Sequence, residues 1–164
     1  VTANTILACH GTAILSGTAG ILIRGASGSG KSMLALALID DGARLIADDR
    51  VTLSPCHGRL VAIPPSAIAG LVELRGVGIV RRPVEPMAII RLCVDLLPAE
   101  DIERLPADAE RSAELAGLTL PRQAVPSPAS AGSMEPAKLL IRQALGDMQV
   151  AVHHKALHLP RVSP

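Results

Sequence analysis

Residues Gly25-Ala26-Ser27-Gly28-Ser29-Gly30-Lys31-Ser32 spell a complete phosphate-binding loop, glycine-rich up to a Lys-Ser pair. Before it, Gly20-Ile21-Leu22-Ile23-Arg24 reads as a buried strand, and after it Ser32-Met33-Leu34-Ala35-Leu36-Ala37-Leu38-Ile39 reads as a helix. The strand–loop–helix setting is the one such a loop requires. Backbone N–H groups of the turn and of the helix N-terminus point at anionic oxygens, where the helix dipole also favours negative charge. The Lys31 ammonium can reach the β- and γ-phosphates of a triphosphate, and the Ser32 hydroxyl can ligate Mg²⁺. The loop therefore predicts an α/β domain that handles a nucleoside triphosphate or a similar polyphosphate.

The 164 residues suffice for one domain with a substantial core. Hydrophobic residues make up 49% and charged ones 19%, which predicts a compact globule, and a formal net charge of +1 argues neither for nor against a charged partner. Phe, Tyr and Trp are all absent, so the core must be built from Leu, Ile, Val, Ala and Met. No aromatic ring is available to stack on a base, which predicts a nucleotide held through its phosphates with loose recognition of the base. The same absence argues against nucleic-acid binding, which for single strands uses stacking platforms. No apolar stretch approaches bilayer length and no leader-like segment opens the chain, so a cytoplasmic, membrane-free protein is expected. Cys9, Cys56 and Cys93 are an odd, widely spaced set, which suits a reducing compartment. The pairs Cys9-His10 and Cys56-His57 lack the Cys-x-x-Cys spacing of a zinc site.

Along the chain, residues 5–9 and 12–15 predict two short strands joined around His10-Gly11, leading into the strand before the loop. Asp40-Asp41-Gly42 stops the first helix, and Arg44-Leu45-Ile46-Ala47 is a further apolar run ending at Asp48-Asp49. Residues 51–54 and 59–63 flank Pro55-Cys56-His57-Gly58 as a hairpin. Residues 71–80 read as a strand interrupted by two glycines, and residues 87–97 as another strand with Arg91 and Asp95 as its polar positions. The charged stretch 98–117 predicts a solvated loop or frayed helix, and the Pro-, Ser- and Ala-rich stretch 121–132 a mobile segment. Residues 135–145 predict a second helix. Residues 1–150 are thus the expected domain and 151–164 a solvated tail, in which His154 and His158 have the i, i+4 spacing of a metal pair without a nearby carboxylate.

Asp48 and Asp49 form the second constellation. In an α/β sheet, ligands bind beyond the carboxyl ends of the strands. If the Asp48-Asp49 strand neighbours the strand before the loop, both carboxylates meet the phosphates. One beside Mg²⁺ and one beside an incoming hydroxyl is the division of labour that phosphoryl transfer needs. Glu73 and Arg75, two apart on a strand, would share one face, where they could serve metal and phosphate or simply pair with each other.

Together, His10-Gly11, Gly25 to Ser32, Leu45 to Val51 and Glu73-Leu74-Arg75-Gly76-Val77-Gly78-Ile79 resemble, in order and spacing, the catalytic domain of bacterial HPr kinase/phosphorylase. The likeness covers residues 5–97 and is similar to the short, alphaproteobacterial type. It implies a P-loop fold like that of phosphoenolpyruvate carboxykinase, with mixed β-sheets, one helix after the loop and one C-terminal helix. It also implies an ATP- and Mg²⁺-dependent kinase for a serine of the phosphocarrier protein HPr, in the sugar phosphotransferase system. By position, Asp48 would be the general base with His10 near it. Lys31 and Arg75 would bind phosphate, and Ser32, Asp49 and Glu73 would surround Mg²⁺. In reverse, the same base would activate inorganic phosphate against phosphoserine and release pyrophosphate. The family is typically a homo-oligomer. Met33 stands where members usually carry Glu, and Pro121-Arg122 is the nearest candidate for the family's arginine-containing loop. The other readings are a small-molecule P-loop kinase and a non-catalytic nucleotide-binding sensor; a GTPase would need Asn-Lys-x-Asp, which is absent.

Overall fold

The structure, a computed structural model, describes residues 6–157, with side chains to residue 149. In chain order the strands are β1 (Leu7–His10), β2 (Thr12–Ser16), β3 (Ala19–Gly25), β4 (Arg44–Ala47), β5 (Arg50–Cys56), β6 (Arg59–Ile63), β7 (Leu71–Leu74), β8 (Gly78–Arg81), β9 (Ala88–Leu97), β10 (Ser112–Leu115) and β11 (Leu118–Pro126). The helices are α1 (Lys31–Asp40), α2 (Pro128–Ala131) and α3 (Glu135–Leu157). The α/β class and the helix after the loop agree with the sequence; the short α2 is an addition to the two helices expected.

The main sheet runs β1-β5-β6-β9-β3-β2-β4, and β11 joins it by pairing parallel to β9. The centre is β9. Along one side it pairs with β3, in parallel. Along the other it pairs first with β6, through Leu60↔Ile90, and then with β11, from Arg122↔Cys93 onward. One face carries Ile14, Ile21, Ile23, Leu92 and Val94 against Leu34 and Leu38 of α1 and Ala137 and Ile141 of α3. On the other, Leu22, Ile46, Val51, Leu53, Leu60 and Ile90 meet one another and Leu115 and Leu120 of the β10–β11 hairpin, so the sheet curls around a second core. Strands buried on both faces must be apolar throughout, which is why Ile21, Leu22 and Ile23 run without alternation.

Several expectations change. The stretch 121–132 is not mobile: β11 lies in the sheet with Val125 fully buried, and Ser127 caps α2 by accepting from the Ser130 N–H. Within 98–117, single 3₁₀ turns at Ala99–Asp101 and Asp108–Arg111 precede β10. Residues 71–81 are a separate hairpin, β7–β8, with the glycines in and after its turn. The strand ends at Leu74, so Arg75 lies in the turn rather than on a strand face with Glu73. The second long helix continues past residue 145 to Leu157, through the first part of the stretch read as tail; His158 lies outside the described residues. Among the described residues, no helix is long and apolar enough to cross a membrane.

Candidate active site

The phosphate loop connects β3 to α1 across a turn that only glycine accommodates easily. Gly30, at the helix N-cap, has φ +99°, and a Cβ there would lie 3.2 Å from Pro128 of α2. Loop and α2 are therefore in close contact. Lys31 is buried, and its ammonium donates to the carbonyls of Gly25 (3.0 Å) and Ala26 (2.9 Å). Ser32 Oγ donates to the Asp48 carboxylate, lying 2.9 Å from Oδ1 and 3.0 Å from Oδ2.

The aspartate pair reaches the loop in an unexpected way. The strand before it, β4, does not neighbour β3; β2 lies between them. From β2, the Thr12 hydroxyl donates to Asp48 Oδ1 at 2.7 Å, so the buried carboxylate accepts from both sides, Thr12 and Ser32. Asp49 follows in the left-handed region at φ +65°, a conformation that Asp tolerates better than bulkier residues and that points to a functional constraint. Its carbonyl accepts from the Gly11 N–H at 3.1 Å and from His10 Nδ1 at 3.0 Å, which requires the ring proton on Nδ1. The His10 nitrogen also lies 3.3 Å from Asp49 Oδ1, and both side chains are exposed. Three consecutive residues, His10, Gly11 and Thr12, thus hold the two aspartates, the buried one by a hydroxyl and the exposed one by a ring and an amide.

A cavity of about 410 Å³ collects these groups. Its walls include His10, Thr12, Ser27, Gly28, Gly30, Lys31, Ser32, Asp48 and Asp49, with Glu73 and Arg75 from the β7–β8 hairpin. The Arg75 guanidinium lies over Gly28, where a Cβ would be 3.4 Å from a guanidinium nitrogen. Of the residues singled out from sequence, only Gly25, Ala26 and Ser29 are not on the cavity wall, and they form the loop beneath it. The Ser29 hydroxyl is buried and has no hydrogen-bond partner among the described residues. Sequence reasoning missed Thr12, Met33, Pro128, Ala129 and Met134 as wall residues. Only the proline at the start of α2 left a signal, as a helix-entry residue.

Oxygen donors at Ser32, Asp49 and Glu73, the set expected from the sequence, share this wall with Asp48 and suit a hard cation such as Mg²⁺. Among the described residues, no three His, Cys, Asp or Glu side chains gather as a metal cage. Mg²⁺ usually keeps waters and is bound through one or two carboxylates plus substrate phosphates, and the residues here fit that mode. A second cavity, about 430 Å³, lies between β11, α3 and residues 101–111, and none of the predicted site residues lines it. Arg122, the nearest candidate for the family's arginine-containing loop and assigned no binding role from sequence, is on the wall of this second cavity and pairs with Asp95.

Comparison with known proteins gives a consistent result. Residues 3–140 match the family model of the HPr Serine kinase C-terminal domain. The HPr kinase/phosphorylase of Lactobacillus acidophilus is 34% identical over 128 residues, covering 71% of this chain and 39% of that protein. The HPr kinase/phosphorylase of Clostridium tetani is 45% identical over 74 residues, covering 45% of this chain and 24% of that protein. The chain thus spans between a quarter and two-fifths of the length of these relatives. The solved Hpr(Ser) kinase/phosphatase of Coxiella burnetii superposes with a TM-score of 0.80 at 25% identity, covering 93% of this chain and 98% of that one.

Proposed function

The chain belongs to the family of the HPr serine kinase C-terminal domain, and from that premise we propose that it transfers the γ-phosphoryl group of ATP to a serine of the phosphocarrier protein HPr. The observation that carries this reading is the convergence of the loop, Ser32, Asp48, Asp49, Glu73 and Arg75 on one cavity. Phosphoryl transfer asks the protein for positioning and for neutralisation of charge rather than for covalent chemistry. Lys31, the loop amides and Arg75 hold the phosphates. Ser32, Asp49 and Glu73 hold Mg²⁺, which when bound neutralises phosphate charge. Asp48 accepts the proton of the attacking serine hydroxyl, with His10 beside the site. In the reverse direction the same carboxylate takes a proton from inorganic phosphate, which attacks phosphoserine; the products are serine and pyrophosphate.

One contact favours a second division of labour. The Ser32 hydroxyl touches Asp48 and not Asp49, so Asp48 could hold the ion with Ser32 while the exposed Asp49–His10 couple takes the proton. Asp48→Asn and Asp49→Asn separate the two. The base variant keeps nucleotide affinity and loses transfer, whereas the ion-holding variant loses metal-dependent nucleotide affinity as well.

The finer architecture of this reading is a phosphoenolpyruvate carboxykinase-like P-loop fold, with parallel β3 and β9 beneath the loop in its support; the division expected between residues 1–150 and 151–164 falls within α3. A cytoplasmic homo-oligomer is the setting that this reading carries with it. The test is direct. HPr incubated with the chain, ATP and Mg²⁺ gains one phosphoryl group on serine, about 80 Da. Nucleotide binding without any gain on HPr would favour a sensor, and a gain on small alcohols or sugars a small-molecule kinase.

A further inference from the structure

The β7–β8 hairpin ends in two β-branched side chains left largely uncovered among the described residues: Val77 is 73% and Ile79 71% exposed. Pairing fixes where Ile79 sits. Glu73 and Ile79 are directly opposite, as are Leu71 and Arg81, and opposite residues share a face. Glu73 lines the phosphate cavity, so Ile79 and Arg81 stand on that same exposed face of the hairpin. The other face turns inward, with Val72 buried. Arg81 and the adjacent Arg82 form no ion pair among the described residues; the Arg82 guanidinium donates to the Arg81 carbonyl. An apolar tip beside unpaired guanidinium groups, at the mouth of a catalytic cavity, is a contact surface rather than a solvated edge.

We propose that this hairpin is the docking element for the protein acceptor, a folded protein whose serine lies on an apolar patch bordered by a carboxylate that meets Arg81. The proposal rests on the kinase reading above and adds how the acceptor is chosen. At about 410 Å³ the cavity has the scale of one small ligand. A protein must therefore rest on the rim, and the hairpin carries two of the rim's wall residues, Glu73 and Arg75. Val77 and Ile79 supply desolvated area, while Arg81 supplies direction and rejects basic surfaces. A small hydroxyl compound would gain nothing from either.

Steady-state transfer to HPr, measured with the full chain, ATP and Mg²⁺, tests it. Val77→Ser/Ile79→Ser should raise KM for HPr about tenfold or more, since two apolar contacts are removed. Both kcat and nucleotide Kd should stay within about twofold, the pattern of lost ground-state binding. Arg81→Glu should raise KM too, with an effect that shrinks as salt is added. An unchanged KM in both variants would place docking elsewhere and overturn the proposal. A parallel fall in nucleotide affinity would make the hairpin a nucleotide wall, and a change in oligomeric mass would make it a seat for a second copy; either overturns it. If the unmodified chain binds nucleotide yet transfers nothing to HPr, the kinase reading itself fails and the docking proposal with it.

Discussion

Thr12 does the least conspicuous work in the site. Its hydroxyl reaches Asp48 across the end of β2 and fixes a carboxylate that Ser32 approaches from the opposite side. Thr12→Val keeps the shape and removes the donor. Leaving a buried acceptor short of a partner costs about 1–3 kcal/mol, so we expect a lower melting temperature together with a fall in kcat, while nucleotide titration shows near-unchanged affinity. Equal losses in kcat and nucleotide affinity would mean that Thr12 shapes the loop instead. The cysteines differ just as sharply. Burial pushes the Cys93 thiol up to about 12, whereas Cys56 is exposed at a hairpin turn with its sulfur 3.2 Å from His57 Nδ1. Since the thiolate is the reactive species, a disulfide reagent at neutral pH should label Cys56 promptly and Cys93 only when the chain unfolds, as peptide mapping can show. The loop residues and Asp48-Asp49 were legible in sequence because their chemistry is local. Thr12 was not, since its partner lies 36 positions away and a threonine in a strand looks ordinary.

Elements are tied together under the loop by Asp95 of β9, which accepts from Arg24 of β3 (2.8 and 2.9 Å) and from Arg122 of β11. Arg24 precedes the phosphate loop and β11 leads into α2, so one carboxylate anchors both strands that feed the cavity. Burial alone would raise its pKa, but the hydrogen bonds and charges of the two guanidinium groups win and hold it below the usual carboxylate range. The sign follows: the stabilisation is fully present above the ordinary Asp value, about 3.9, and is lost as pH falls through the lower folded value. Asp95→Asn should cost on the order of 3 kcal/mol at neutral pH, with the deficit narrowing in acid; chemical denaturation at neutral and acidic pH reads both. A second expectation concerns α2 and the link that follows it to α3. Pro128, Ala129 and Met134 offer apolar wall and no side-chain hydrogen bond for a base. Met134→Ala should weaken ATP and GTP alike and leave tripolyphosphate unaffected in competition assays. The stretch 121–132 was misread from its prolines. Composition shows that prolines interrupt, not where: Pro121 falls where β11 passes from β10 to β9, Pro126 ends the strand, and Pro128 opens α2. Each stands where a missing N–H is tolerated.

For the molecule as a whole, strand order was the least legible feature. Periodicity finds strands but not neighbours, and here β2 separates β4 from β3 while β9 is shared by β3, β6 and β11. The outcome still places the aspartates at the loop, because antiparallel β2 begins where β4 ends. A ligand held by residues from several of these strands should stabilise all of them. At a hundred times its Kd, ATP with Mg²⁺ should add about 2.7 kcal/mol, a rise in melting temperature of roughly 5–10 °C for a domain of this size. Lys31→Ala should abolish that rise, and an undiminished shift would refute the loop's assigned role. The run His10-Gly11-Thr12 has one more consequence. Because a single short tether steadies both carboxylates, the ion's ligand and the base alike, a protease cut at that tether would loosen the two at once. The nicked molecule would forfeit metal-dependent nucleotide capture together with transfer, and would stand empty rather than occupied.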